Sequence, residues 1–511
     1  KKIKNIDYAS FETPSSNIFF ASSLPNNSRE VHEFVKEFNN YEPVDKISKK
    51  LSKFLKPYQL EGYLWMKKML EFNFGCLLAD DMGVGKTVQT IAIFDDLINT
   101  NPKIKILIVC PVTLMYNWEK EISQHLPNVK VVQVEGRKEN RETILSYSTA
   151  TIFITSYTMV SKDVEYYSNI GLTLMVIDEA QVIKNSDTQI SKSIREIPSK
   201  SRIALSGTPI ENNLGELWSI MDFLNPSILG TKKEFYNNYE KHIYNGNFDK
   251  QEILRNIIKS FFLRRTKQDV LSDLPSKIEK IYSIDFELAE DEIYNSFLEY
   301  IRLEMKTQGN SKEKSTFLFK TILKLRQICC DSRLIGESLK ESSKLKFLIK
   351  NIKSIINNDD KNKIIVFSQF TSMLDLIKIS LENNNIKTKI LTGKTPKQDR
   401  GKLIDEFNTD ETNVILISLK AGGSGLNITS ANHVFHYDPW WNIAAEMQAT
   451  DRAHRIGQKK SVFVYKLIMK NSLEERILTI QYKKHELFKT FIESAGENKM
   501  NLESLCELIG I

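Results

Sequence analysis

Apolar positions come along this chain in short, mostly β-branched runs, separated by longer amphipathic stretches. In the first half the runs fall at 76–79, 104–110, 151–155, 174–177 and 203–205. Each is too short for a helix, whereas stretches such as 88–98 carry apolar residues at helical spacing. That alternation predicts a doubly wound parallel sheet. From about 217 to 345 strand-like runs become rare and long helical patterns take over, 317–329 among them, with 306–314 as an exposed loop. The runs 364–368, 389–391, 414–418, 433–437 and 462–467 restore the rhythm and predict a second parallel sheet. The expected architecture is therefore α/β, with two parallel-sheet lobes joined by a helical insertion and linker.

The expected divisions are a lead-in, or the end of a missing N-terminal region, at 1–45; a first lobe at 46–225; the helical insertion and linker at 226–345; a second lobe at 346–485; and a C-terminal helical brace at 486–511. The chain opens on Lys1 rather than Met, which reads as a fragment. Its 511 residues exceed what one core supports, in keeping with several domains. The 71 basic and 64 acidic residues leave a net charge of +7, which permits a polyanionic partner without requiring one. The five cysteines form no C-x-x-C pair, which argues for a reducing compartment and against a disulfide frame or a zinc site. There is no apolar run of about 18 residues, so no membrane span is expected.

The chemistry begins at the first run. Leu77-Leu78-Ala79 leads into Asp80-Asp81-Met82-Gly83-Val84-Gly85-Lys86-Thr87, a strand, a glycine-bearing loop and the start of a helix. Such a loop turns backbone N–H groups toward phosphate oxygens, and the helix N-terminus adds partial positive charge. Lys86 can reach the β- and γ-phosphates, and the Thr87 hydroxyl can ligate Mg²⁺. Asp80 stands where the first glycine of G-x-x-x-x-G-K-[ST] is expected, so a chance glycine-rich turn is the competing reading of this stretch alone.

Farther on, Val176-Ile177-Asp178-Glu179-Ala180-Gln181 ends an apolar strand in two adjacent carboxylates. At the carboxyl end of a parallel strand, Asp178 is placed to hold Mg²⁺ and Glu179 to polarise an attacking water. The bland alternative is a capped strand–helix junction, which the upstream phosphate loop makes the weaker one. Late in the chain, Gln448-Ala449-Thr450-Asp451-Arg452-Ala453-His454-Arg455 puts two arginines on one face of an expected helix. A transferring phosphoryl group needs a guanidinium that neither loop nor carboxylates supply; the alternative is a solvated basic helix.

Together these stretches resemble a superfamily-two helicase motor, specifically the SWI/SNF family of double-stranded DNA translocases. Leu55-Lys56-Pro57-Tyr58-Gln59 resembles that family's adenine-reading element, with Gln59 as the adenine contact. The loop from Asp80 to Thr87 is similar to its motif I, where Asp in place of the first glycine is usual. Val109-Cys110-Pro111-Val112 through Asn117-Trp118 resembles motif Ia, and Ile154-Thr155-Ser156-Tyr157 motif Ib. Asp178-Glu179-Ala180-Gln181 resembles motif II, with Gln181 where many members carry His, and Leu205-Ser206-Gly207-Thr208-Pro209-Ile210-Glu211-Asn212 resembles motif III. Phe262-Leu263-Arg264-Arg265-Thr266-Lys267 resembles a linker marker, and Ile365-Val366-Phe367-Ser368-Gln369-Phe370 motif IV. Ala421-Gly422-Gly423-Ser424-Gly425-Leu426-Asn427 resembles motif V, and Asp438-Pro439-Trp440-Trp441-Asn442 precedes motif VI, the arginine stretch.

The resemblance covers roughly 50–485 and implies two RecA-like lobes with ATP between them. It implies a DNA-dependent ATPase that couples hydrolysis to movement along duplex DNA. Lys86, Asp178, Glu179, Gln181, Arg452 and Arg455 are the expected catalytic set. Gln59, Asp80, Met82, Gly83, Val84, Gly85, Lys86, Thr87 and Gly425 are expected at the nucleotide, with Thr87 and Asp178 on Mg²⁺. The expected DNA grips are the motif Ia and Ib loops, the Thr208 region, Thr371 and the motif V glycines; they touch backbone only, so binding should be sequence-nonspecific and salt-sensitive. Gln181 is expected to hydrogen-bond motif III groups as a His would. Two features stay open: Trp440 and Trp441 as DNA contacts or core, and Arg264, Arg265 and Lys267 as phosphate contacts or a structural brace against a neighbouring lobe. The rival functions are a strand-separating helicase and a weakly hydrolysing, nucleotide-dependent scaffold. A monomeric motor without a membrane partner is expected. The abundance of Lys, Asn and Ile favours a bacterial, cytoplasmic or nucleoid-associated setting; a eukaryotic source would imply the nucleus.

Overall fold

The structure, a computed structural model, describes residues 29–207, 214–271, 274–307, 311–337, 342–422, 426–441 and 443–481. The described residues up to 271 form one compact unit, and those from 274 to 481 form a second.

The first unit is built on β1 (Cys76–Leu78), β2 (Ile106–Cys110), β3 (Val131–Val134), β4 (Ile152–Ser156), β5 (Leu172–Asp178), β6 (Ser199–Leu205) and β7 (Phe262–Leu263). They make a seven-stranded sheet of order β3-β4-β2-β5-β6-β1-β7 in which every pairing is parallel. β2 and β4 are buried along their whole length, as strands covered by helices on both faces must be. The phosphate-loop strand β1 sits between β6 and β7, and β5, which ends in Asp178, sits next to β6. The carboxyl ends of β1 and β5 therefore open on the same edge of the sheet.

The second unit holds β8 (Lys277–Ile284), β9 (Ile364–Ser368), β10 (Thr388–Leu391), β11 (Val414–Ser418), β12 (His433–His436) and β13 (Val462–Met469). Its six-stranded sheet has the order β10-β11-β9-β12-β13-β8 and is again parallel throughout. Side chains of β9 alternate between two cores. Ile364 and Val366 join the helices Ser311–Cys330 and Ser343–Asn358 on one face, and Ile365 and Phe367 join Ile404, Phe407 and Ala453 on the other.

The region 226–345 is shared between the units. The helix Phe248–Lys259 and β7 pack with the first core through Leu254, Ile257 and Phe261. The helices Leu288–Thr307 and Ser311–Cys330 pack with the second through Tyr294, Ile301, Leu318, Leu325 and Ile328. The sequence pattern does not announce β3, β7 or β8. Among the described residues no helix is long and apolar enough to cross a membrane.

Candidate functional site

The phosphate loop owes its turn to two glycines. Gly83 (φ 82°) and Gly85 (φ 92°) take left-handed backbone that a side chain disfavours. Asp80 is not among the positive-φ positions, so the loop does not need glycine there. Its side chain has another task. Fully buried, the Asp80 carboxylate accepts from Arg265 Nε at 3.0 Å and Nη2 at 2.5 Å, from the Arg265 backbone N–H at 3.1 Å, and from Gln89 Nε2 at 3.2 Å. The departure from the glycine pattern is thus an ion pair to the linker marker. Arg264 lies 3.6 Å from Asp81, and the Lys267 N–H donates to Asp81 Oδ2 at 3.1 Å. Arg265 is a brace, but within the first unit rather than against a neighbouring lobe.

Lys86 begins the helix Lys86–Thr100 and folds back over the loop, donating to the carbonyls of Asp80 at 2.6 Å and Asp81 at 3.3 Å. Desolvation pushes its ammonium below the usual lysine range, against the pull of Glu179, Asp178, Asp80 and Asp81. Thr87 follows it in the first turn, half-buried. Gln59 reaches the same loop from the helix Pro57–Glu71. Its Nε2 donates to the Val84 carbonyl at 2.9 Å, while its Oε1 accepts from the Lys56 N–H and closes that helix's start. Tyr58 Oη also donates to the Val84 carbonyl, at 2.7 Å. A Cβ at Gly85 would also displace the Gln59 amide.

Asp178 ends β5. Its Oδ2 accepts from Trp118 Nε1 at 2.9 Å and its Oδ1 from the Glu179 N–H at 2.8 Å. Burial and the adjacent Glu179 charge push the Asp178 carboxyl up to about 7, against the Trp118 hydrogen bond and Lys86. A divalent cation beside it would reverse that balance. Glu179 sits at φ 56°, in left-handed backbone that costs a non-glycine residue roughly 1–2 kcal/mol. The surroundings hold it there. Tyr157 Oη donates to the Asp178 carbonyl at 2.7 Å, and Gln181 Nε2 donates to Glu179 Oε2 at 2.7 Å. Ser206 Oγ donates to Gln181 Oε1 at 2.9 Å, so Gln181 bridges motif II to motif III as expected of the residue in a His position. Lys86, Asp178, Glu179, Gln181, Gln59, Asp80, Thr87 and the loop residues Met82 to Gly85 are thereby brought to one edge of the first sheet.

Sequence reasoning misses two residues of this site, Trp118 and Tyr157, and leaves the role of Arg265 open. It assigns motifs Ia and Ib to DNA gripping, yet Trp118 and Tyr157 point their polar tips at Asp178. A buried aromatic carrying one donor is the available signal.

In the second unit one expectation is corrected. Arg452 and Arg455 are not on a helix. The helix Ile443–Thr450 stops before them, and residues 451–457 run through turns. The turns form because their backbone is engaged from outside. The Arg452 carbonyl accepts from the Ile428 N–H at 3.0 Å, Gln458 Nε2 donates to the carbonyls of Ala431 and Ala453, and Gly457 takes φ 101°. Arg452 is buried, and Arg455 Nη1 donates to the Leu426 carbonyl at 3.4 Å. Motif VI is thus laid against the end of motif V and the residue that follows it. Gly425, Thr208 and Asn442 lie outside the described residues.

Trp440 and Trp441 are half-buried, packed against different faces of the second sheet. The Arg326 guanidinium lies 5.4 and 5.8 Å from their rings and 5.5 Å from that of Phe370. It also donates to the Pro439 carbonyl at 2.8 Å and to Gln369 Oε1 at 3.1 Å. Both tryptophans therefore pack around Arg326 while keeping part of their surface exposed.

Two parallel RecA-like sheets, the first with a phosphate loop beside a strand ending in Asp-Glu, define a helicase-type α/β protein of the phosphate-loop class. The chain belongs to the SNF2-related family: it matches the SNF2-related domain over residues 58–334 and the helicase conserved C-terminal domain over 343–457. An uncharacterized ATP-dependent helicase of Mycoplasma pneumoniae is 38% identical to it, over 86% of this chain and 42% of that protein. The putative ATP-dependent helicase/translocase YwqA of Bacillus subtilis is 36% identical, over 88% of this chain and 50% of that protein. The ISWI chromatin-remodeling complex ATPase ISW1 of Saccharomyces cerevisiae is 31% identical, over 88% and 41%. The chain spans half or less of the length of these relatives.

Proposed function

We propose that this chain is an ATP-dependent motor that moves along double-stranded DNA without separating its strands. The observation that carries the reading is the Lys86–Asp178–Glu179 edge of the first sheet, with Glu179 held by Gln181 and Gln181 by Ser206. That is the equipment for hydrolytic phosphoryl transfer: a cation for the γ-phosphate, a carboxylate for a metal and a carboxylate for the water. The names of the relatives, helicase, translocase and chromatin-remodeling ATPase, support the choice of DNA as the track.

Within this reading ATP is the nucleotide, with Gln59 at its base and the loop from Asp80 to Thr87 around its phosphates. The Thr87 hydroxyl and the Asp178 carboxylate are the hard oxygen donors that suit Mg²⁺, which when bound would neutralise charge on the phosphates. Glu179 orients and deprotonates the attacking water, and Arg452 and Arg455 act on the charge developing at the γ-phosphoryl group. Gly425 joins the nucleotide-binding set. Thr371, exposed in the first turn of the helix Thr371–Glu382, is a phosphate grip of the kind that helix N-termini provide.

The test pairs two substrates in one buffer. With ATP present, the protein should displace a third strand lying in the major groove while the two duplex strands stay together. Its ATPase should be stimulated by duplex of any sequence and fall steeply as salt rises. Efficient unwinding would instead favour the strand-separating helicase. Neither activity, with hydrolysis indifferent to DNA, would favour the scaffold.

A further inference from the structure

We propose that Arg265 is a positioning residue of the nucleotide site, holding the phosphate loop and the base-reading helix at one fixed separation. This rests on the nucleotide-binding reading above and adds a residue that touches neither phosphate nor base in it.

The segment carrying Arg265 is zipped onto the loop from outside. Leu77 N–H donates to the Phe261 carbonyl at 2.8 Å, Ala79 N–H to Leu263 at 2.7 Å and Asp81 N–H to Arg265 at 3.0 Å. The ladder of β7 thus runs past β1 into the phosphate loop itself. From there the guanidinium reaches three separate stretches. Nε and Nη2 grip both oxygens of Asp80 in the loop, Nη1 donates to the Tyr58 carbonyl at the head of the helix Pro57–Glu71, and Nη2 also donates to Gln89 Oε1 at 2.8 Å, on the helix that follows the loop. The Tyr58 ring lies 5.3 Å from the guanidinium. Tyr58 and Gln59 then return to the loop at the Val84 carbonyl. The result is a closed circuit, Asp80 to Arg265 to Tyr58 to Val84, and its ends are the two ends of the loop's turn.

Helix and clamp are in close contact. A Cβ at Gly62 would meet Gln89 Oε1 and Arg265 Nη2, so a side chain there would displace the clamp's own groups. A lysine could supply the charge at this position but not the planar fork that serves Asp80, Tyr58 and Gln89 together. Asp80 in turn has no water to fall back on, being fully buried. Loosening the clamp should therefore disturb where the base sits relative to the phosphates, a matter of substrate binding, more than the chemistry at Glu179.

The experiment measures duplex-stimulated ATPase for Asp80→Asn, Arg265→Lys and the double variant, against ATP and GTP. Each single variant should raise KM for ATP about tenfold or more while kcat falls less than about threefold. The preference for ATP over GTP should shrink, and the double variant should be no worse than the worse single one, as expected of two residues acting as one unit. A KM unchanged within twofold, a fall in kcat matching the rise in KM, or additive effects would each overturn the proposal. Asp80→Asn is close to isosteric and decides the matter should Arg265→Lys fail to fold. Binding of a fluorescent ATP analogue to the unaltered protein separates the two levels. No binding there defeats the proposed function, whereas binding there with unchanged variants defeats only the role of Arg265.

Discussion

Glu179→Gln should leave ATP bound and cut its turnover by about 10³-fold, a loss of about 4 kcal/mol in transition-state stabilisation. The substitution is nearly isosteric, and a glutamine oxygen can still accept from Gln181 Nε2, the donor 2.7 Å from Glu179 Oε2. What it removes is basicity. The backbone at this position argues for a dedicated task, since left-handed geometry at a non-glycine residue persists only where the surroundings enforce it. Here Tyr157, Gln181 and, through Gln181, Ser206 do so. Phosphate release at saturating ATP and duplex, alongside equilibrium binding of a fluorescent analogue, checks the expectation. Turnover within tenfold of the unaltered protein would show that another group activates the water.

Arg455→Ala and Arg452→Ala should each lower turnover by roughly 10³-fold or more with nucleotide binding largely spared, the pattern expected when a guanidinium meets charge that exists only in the transition state. The two positions differ in how cleanly they test this. The Arg452 backbone is tied to Ile428 and the residue is buried, so its truncation also disturbs the turn. Arg455 is more exposed and its side chain meets the Leu426 carbonyl at the outer limit of a hydrogen bond. Hydrogen exchange at β12 and β13 provides the control, because a purely catalytic loss leaves their protection unchanged. An Arg455→Ala enzyme that turns over normally would remove that residue from the reaction.

Much of this site is legible in the amino-acid sequence because phosphate chemistry constrains residue type and spacing over short stretches. The loop from Asp80 to Thr87 and the pair Asp178-Glu179 are contiguous, so a reader of the chain meets each whole. The buried central strands are equally visible, since β2, β4, β9 and β11 each open on an apolar run and are buried along their whole length. What stays hidden has one physical reason: its partners are far apart in sequence. Trp118 and Asp178 are 60 residues apart, and Arg265 and Asp80 are 185 apart. β7 has only two residues and is a strand because β1 is beside it. β8 reads Lys-Ile-Glu-Lys-Ile-Tyr-Ser-Ile and lies at the sheet's edge with most of its side chains exposed, so its composition is that of a surface. At Arg452 and Arg455 local propensity favours a helix, and the hydrogen bonds from Ile428 and Gln458 override it.

The two-residue strand β7 also decides where this protein can be cut. The rhythm of strands and helices suggests that the first lobe is complete by residue 225, and a shortened fragment ending there would keep β1 through β6. It would also uncover the flank of the very strand that feeds the phosphate loop, leaving the N–H groups of Leu77, Ala79 and Asp81 without the carbonyls of Phe261, Leu263 and Arg265. An open strand flank is a template for pairing with another chain, and Asp80 would be stripped of its arginine in the same stroke. A fragment that keeps these pairings therefore extends past Arg265. A protease nick between residues 225 and 261 would be tolerated only while the far fragment stays in register on β1.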